Sequence, residues 1–169
     1  MPIVAGDIDF HLSGGAGNTD PNAALGGAIS TTQLTDNTLN NLWDDVSGAE
    51  SSAGDTEYRC IYVKNAHGTL TLQSAKIWIE TNTTSPANAM SIALGGEGMN
   101  GTAETVANES TAPVGETFSQ PTNYAGGLSL GNLTAGSTYP IWVKRVIPAS
   151  TSAVDNVTYV LKVQGDTAA

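Results

Sequence analysis

A chain of 169 residues and 17.3 kDa is the size of one domain and is long enough to bury a core. Apolar residues make up 40% and charged residues 13%, which excludes the highly charged, core-poor composition of a disordered chain. A formal net charge of −10 argues against direct binding to nucleic acid, because phosphate contacts need a basic footprint.

The polar fraction is carried by Gly, Ser, Thr and Asn, residues that make turns and, for Thr, sit well in strands. This points to an all-β chain with long loops. At the start, Met1-Pro2-Ile3-Val4-Ala5-Gly6-Asp7 has neither a basic nor an apolar region and does not read as a signal peptide. Ile8-Asp9-Phe10-His11-Leu12 alternates briefly, as a short strand would. Ser13 to Asn22 and then Gly26-Gly27 are loop chemistry, so the first 35 residues read as an extended arm laid over something else, with a flexible free tail as the alternative. No Lys or Arg precedes Arg59, and nine of the 16 acids fall before it. Two readings fit that imbalance: a solvated, solubilising segment, or an acidic arm that docks on a basic surface of a partner.

Leu39, Leu42, Trp43 and Val46 recur at helical spacing behind Asp36, an N-cap type, and predict a short helical turn within 36–47. Asn40, Asn41, Asp44 and Asp45 oppose it. From Tyr58 the strand signal is clear. Arg59, Ile61 and Val63 share one face, and Tyr58, Cys60, Tyr62 and Lys64 the other. Both faces are largely apolar, which predicts a central strand. Asn65-Ala66-His67-Gly68 reads as a hairpin connection to a return strand beginning at Leu70 and Leu72. A bulge or bend is expected at Ser74-Ala75, after which Ala75, Ile77 and Ile79 point inward and Lys76, Trp78 and Glu80 outward. Met90, Ile92 and Leu94 form another alternating set, ended by Gly95-Gly96.

Residues 95–127 are rich in Gly, Asn, Thr and Pro, with Val106, Val114 and Phe118 as apolar anchors. Leu128 and Leu130 form a short strand, and Leu133-Thr134-Ala135-Gly136 a corner. Tyr139, Ile141 and Val143 then oppose Trp142, Lys144 and Val146, and Pro148 either stops that strand or places it at a sheet edge. Val157, Tyr159, Leu161 and Val163 alternate against Thr158, Val160 and Lys162, and Gly165-Asp166 ends the set. Seven or eight strands without βαβ units predict an all-β fold: a single two-sheet antiparallel β-sandwich, immunoglobulin-like or jelly-roll-like, over residues 58–169. Residues 1–57 are expected as the extended acidic arm and loop region.

Candidate chemistry is sparse. Catalysis by Cys60 needs a nearby base, and a cysteine inside a strand is usually a small buried apolar residue. The single cysteine also leaves no internal disulfide, which fits synthesis in a reducing cytoplasm. His11 and His67 are far apart, and with one cysteine they give no zinc spacing. Asp44, Asp45, Glu50, Asp55 and Glu57 are close enough in sequence for calcium but do not match an EF-hand loop, and a solvated acidic loop is the favoured reading. Gly14-Gly15-Ala16-Gly17 lacks a following Gly-Lys-Ser/Thr, and Gly95-Gly96-Glu97-Gly98 carries a glutamate that would repel phosphate, so both read as turns. Paired acids could serve a glycosidase, but their separation is not readable. Trp78 and Trp142 oppose the presumed core residues of their strands; core, subunit interface and sugar platform are the three readings. Sequons at Asn82, Asn100, Asn108, Asn132 and Asn156 read as a by-product of composition. No apolar stretch approaches the roughly 20 residues that span a bilayer, so no membrane partner is expected. No residue is assigned as catalytic, cofactor-binding or metal-binding, no cofactor is expected, and the chain reads as a non-enzyme.

Several strings resemble small structural proteins of tailed bacteriophages. They are Phe10-His11-Leu12-Ser13-Gly14-Gly15-Ala16-Gly17-Asn18-Thr19-Asp20-Pro21-Asn22, Leu25-Gly26-Gly27, Asp45-Val46-Ser47-Gly48-Ala49-Glu50, and Gly54 through Asn65. The stretch from Leu133-Thr134-Ala135-Gly136 to Ile141-Trp142-Val143-Lys144-Arg145 is similar to the same group. The resemblance implies a virion protein, most specifically a head decoration (cement) protein on the capsid surface. It implies the major capsid protein as partner, at junctions between its subunits, and self-association as a homotrimer. A tail or baseplate component, and a carbohydrate-binding or host-adhesion module, are the alternatives. No residue of the group carries over as a binding site.

Overall fold

The structure is a computed structural model and describes residues 2–83, 89–152 and 157–167. Its strands are β1 (Ile8–Leu12), β2 (Gly26–Gly27), β3 (Asp55–Asn65), β4 (Leu72–Thr81), β5 (Met90–Leu94), β6 (Ala103–Thr105), β7 (Leu128–Leu133), β8 (Thr138–Ile147) and β9 (Val160–Thr167). One short helix, α1 (Gly48–Ala53), precedes β3. The chain is mostly β, and every strand pairing is antiparallel.

β3 and β8 are the spine. They pair without a break from Asp55↔Ile147 to Lys64↔Thr138, with β1 outside β3 and β5 outside β8. Their two-sided apolar pattern has a direct structural cause, since both faces are covered. Ile61, Val63, Ile141 and Val143 face one hydrophobic cluster, while Cys60, Tyr62 and Trp142 face a second. A three-stranded sheet, in the order β7-β4-β9, sends Ala75, Ile77, Ile79, Leu130 and Leu133 into that first cluster. Of the bulge or bend expected at Ser74-Ala75, the structure has the bulge: Ser74 has φ +51° and the β4 register shifts between Leu72 and Ala75. β8 stops at Ile147, one residue before Pro148.

Several expectations differ from the structure. Residues 65–68 do not close a hairpin, because β3 and β4 lie in different sheets. The Asn65 side chain is buried there and donates to the carbonyls of Leu70 at 2.9 Å and Leu133 at 2.8 Å, which turns the chain from one sheet to the other. No helix forms in 36–47. Asn37 and Asn40 adopt φ +56°, a left-handed conformation that an α-helix cannot continue through, and Leu39 is 73% exposed. The helix comes later, with Ser47 as its N-cap and Glu50 completing a reciprocal capping box. Gly165 does not end its strand, which runs on to Thr167. A side chain at 165 would meet the Gln73 carbonyl, so glycine lets β9 lie against the β4 bulge. Val114 is 83% exposed and anchors nothing, whereas Val106 is buried.

The first third of the chain is built into this framework. β1 pairs with β3 from Ile8↔Asn65 to Leu12↔Ile61, and Leu12, Ala24, Leu42 and Trp43 join the first cluster. The expected boundary after residue 57 falls inside β3. Alternation in residues 8–12 was legible; the long polar loop that follows hid the core residues inside it. The sequon Asn156 lies outside the described residues.

Candidate functional site

The densest polar constellation lies at the end of the four-stranded sheet where β3 begins and β8 finishes. Strand alternation places Asp55, Glu57 and Arg59 on the same face of β3 as Ile61 and Val63. Register sets Glu57 directly opposite Arg145 of β8. Glu57 and Arg59 are both fully buried, and Arg145 is 5% exposed. Two buried cations need partners, and the loops supply them.

Arg59 Nη2 donates to Glu109 Oε2 at 2.5 Å and to Asn22 Oδ1 at 3.0 Å. Arg145 donates from Nε to Glu57 Oε2, from Nη1 to the Asp44 carbonyl at 3.0 Å, and from Nη2 to Asp44 Oδ1 at 3.3 Å. The Trp43 ring lies 5.3 Å from the Arg59 guanidinium and 4.9 Å from that of Arg145. Such cation–π contacts strengthen as the site loses water. One oxygen of Glu57, Oε1, is buried and has no hydrogen-bond partner among the described residues. Burial pushes the Glu57 carboxyl above its ordinary pKa even though Arg145 pulls it down, and Glu109 and Asp44 add to the rise. This network ties the loops around residues 22, 43–44 and 109 to the two central strands. It is a fastening and a concentration of carboxylates.

Of the five acids weighed for calcium, the structure gathers Glu50, Asp55 and Glu57 into one group, and joins Asp44 and Glu57 with Glu109 in another. Arg59, Arg145, Trp43 and Glu109 were not singled out from sequence. The usable signal was Arg59 at an inward position between apolar neighbours, where a charge demands a partner.

The other sequence candidates have structural occupations. Cys60 is buried in β3, and burial raises its thiol pKa, the opposite of an activated nucleophile. His67 Nδ1 accepts from the Thr69 and Leu70 N–H groups at 3.1 and 3.0 Å and shapes the crossing loop. Gly14-Gly15 and Gly26-Gly27 line a depression with Leu25 and Val106 that contains no cationic side chain. At Gly95-Gly98, Glu116 Oε1 accepts from the Gly96 N–H at 2.8 Å, filling with a carboxylate a donor that a phosphate would need. Trp142 is fully buried and Trp78 is 3% exposed, so neither presents a ring face as a sugar platform in the chain as folded.

His11 is 8% exposed, with Nδ1 at 3.0 Å from the Ser30 carbonyl and Nε2 buried without a hydrogen bond. Nδ1 therefore carries the proton. Burial lowers its pKa first and Lys64 adds to that, against the Ser30 bond and Asp9. A base whose folded pKa is depressed binds fewer protons folded than unfolded. Stability at this site is thus complete above the unfolded pKa of about 6.5 and is lost as pH falls toward the folded one. Urea unfolding of wild type and His11→Gln between pH 5 and 7.5 is expected to show this component only in wild type. Parallel curves would refute it.

Comparisons with protein-family models, curated proteins and solved structures find no match to this chain.

Proposed function

We propose that the chain is a structural protein of a tailed-bacteriophage virion, and specifically a decoration protein that binds the outer surface of the head where major capsid subunits meet. The resemblance of its short strings supplies the virion assignment. The observation that carries an assembly role is the contrast between sheet edges. In the four-stranded sheet both outer strands bond to further backbone. Segment 30–34 bonds along β1 through Leu12, Ser30 and Leu34, and Ser119 exchanges both backbone bonds with Ile92 of β5. In the three-stranded sheet the outer edges of β7 and β9 meet no further backbone segment among the described residues. Unpaired edges are templates for strand addition by a neighbour.

The finer architecture belongs to the same reading. The two sheets are inferred to be the layers of an antiparallel sandwich, supported by the cluster they share. The acidic first third is inferred to present its surface to a basic patch on the capsid while staying anchored through β1. Removing residues 1–35 would delete a strand of the sheet, so that truncation cannot test attachment. A surface variant can. Val160 of β9 is 46% exposed, and Val160→Asp is expected to leave the circular dichroism unchanged. Its co-sedimentation with expanded, undecorated heads should fall at least about tenfold, since a charge on an edge strand opposes strand addition. Wild-type protein that stays in the supernatant with such heads would refute the decoration role; capture on tails instead would move the site of assembly. A solution mass of three times 17.3 kDa is expected for the trimer.

A further inference from the structure

Three carboxylates converge where α1 runs into β3. Glu50 lies in α1, Asp55 opens β3, and Glu57 follows two residues later on the same face. One oxygen from each lies within 4.8 Å of the other two. Each group has one oxygen engaged locally. Glu50 Oε2 accepts from the Ser47 N–H at 2.6 Å, and Asp55 Oδ1 from the Thr56 N–H at 2.7 Å and the Ser110 hydroxyl at 3.4 Å. Glu57 Oε2 accepts from Arg145 Nε. Glu57 Oε1 is different from an exposed surface oxygen: its side chain is 1% exposed, and the atom has no hydrogen-bond partner among the described residues. A buried acceptor without a partner is destabilising, and it invites a cation that solvent cannot replace.

Charge and donor type narrow the ligand. Glu50, Asp55 and Glu57 with the Arg145 guanidinium leave two negative charges, the complement of a divalent ion. The donors are all oxygen, which selects a hard cation. The three oxygens lie within 4.8 Å of one another and come from a helix and a strand, an arrangement that suits the flexible shell of calcium, with bonds of about 2.3–2.6 Å, better than the near-ideal octahedron that magnesium demands at about 2.0–2.1 Å. Asp44 and Glu109 also face Glu57, but they already accept from Arg145 and Arg59, and a metal ion there would meet both guanidinium groups. We propose that Glu50, Asp55 and Glu57 bind one calcium ion, with Glu57 as its buried ligand. The ion would lock α1 onto the start of β3. It would also steady the chain leaving β8, since Ser51 Oγ donates to the Thr151 carbonyl at 2.7 Å and the Thr151 N–H to the Ser51 carbonyl at 3.1 Å. The site does not depend on head binding.

The test is calorimetric titration of chelator-treated full-length protein with calcium chloride, together with thermal melts. One ion per chain is expected. A hundredfold excess over Kd should raise Tm by about 5 °C or more, from the mass-action stabilisation and the size of the chain. Glu50→Gln and Asp55→Asn remove half-exposed ligands without touching the Glu57–Arg145 pair, and each should weaken calcium at least tenfold. Glu109→Gln should keep the wild-type calcium affinity, and magnesium should bind at least tenfold more weakly. Neither heat nor a melt shift with wild-type protein overturns the site, whatever the variants do. Loss of binding in Glu109→Gln with retention in Glu50→Gln and Asp55→Asn overturns the ligand set, and equal affinity for magnesium overturns the choice of calcium.

Discussion

Arg145→Leu is expected to destabilise the chain by about 3–5 kcal/mol, the usual cost of removing one partner from a buried ion pair. The loss arises less from the missing attraction than from what stays behind. Glu57 keeps a side chain that is 1% exposed, its Oε2 loses the Arg145 donor, and its Oε1 already has no partner among the described residues. The Asp44 loop also loses both of its bonds to Arg145, and one guanidinium leaves the Trp43 ring. Urea unfolding at fixed pH measures the effect. A loss under about 1 kcal/mol would mean that the pair behaves as an exposed one.

Two controls separate the causes. The double variant Arg145→Leu with Glu57→Leu should recover much of the stability, because a buried pair replaced by apolar residues is often near neutral. The single variant should also respond to pH. The folded pKa of Glu57 lies above its unfolded value, so the folded state binds the extra proton. Stability from this group is therefore greatest in acid and is lost as pH rises through the folded pKa. With the arginine gone that rise is larger, and the penalty in Arg145→Leu should shrink as pH falls toward 5.

Trp142→Ala is expected to cost about 3–5 kcal/mol, as large-to-small changes of buried aromatics do. Trp142 is fully buried on the face of β8 away from the first cluster, packed with Cys60, Tyr62, Ala93, Ala103 and Val106. The loops carrying Leu25, Ile29 and Phe118 lie against that face. Trp142→Phe should recover part of the loss. An alanine variant with wild-type stability in urea would show that the ring is not buried, and would reopen the platform reading for this residue.

The strands with strong alternation were legible because a strand between two covered faces must be apolar on both. Tyr58 to Lys64 and Tyr139 to Val146 showed that pattern, and they are the two central strands. The Ser74-Ala75 bulge was legible as a break in period. The capping box Ser47-x-x-Glu50 was equally readable, but the stronger apolar periodicity of 39–46 drew the helix to the wrong segment. The asparagines at 37 and 40 take left-handed conformations there, which favours turns over propagation.

The polar cluster was not legible, because its partners are joined only by tertiary structure. Glu57 and Arg145 are 88 residues apart and meet through the β3–β8 register, whereas Arg59 and Glu109, 50 apart, meet because the loop carrying Glu109 bonds to β3 at Tyr58. The same holds for Asn65, whose local turn chemistry looked like a hairpin until Leu133, 68 residues away, supplied its second acceptor.

By itself the sequence determined an antiparallel β chain, the places where its main strands lie, and the absence of a contiguous catalytic or zinc-binding motif. These are local properties: alternation, turn residues and spacing act over a few residues. Only the tertiary structure decided that the acidic first third shares the core, that two arginines are buried against Trp43, and that three carboxylates meet beside α1. Those outcomes depend on which strand lies beside which. Burying a charge is tolerable only when a distant part of the chain brings its partner, and that information resides in the register and not in any one segment.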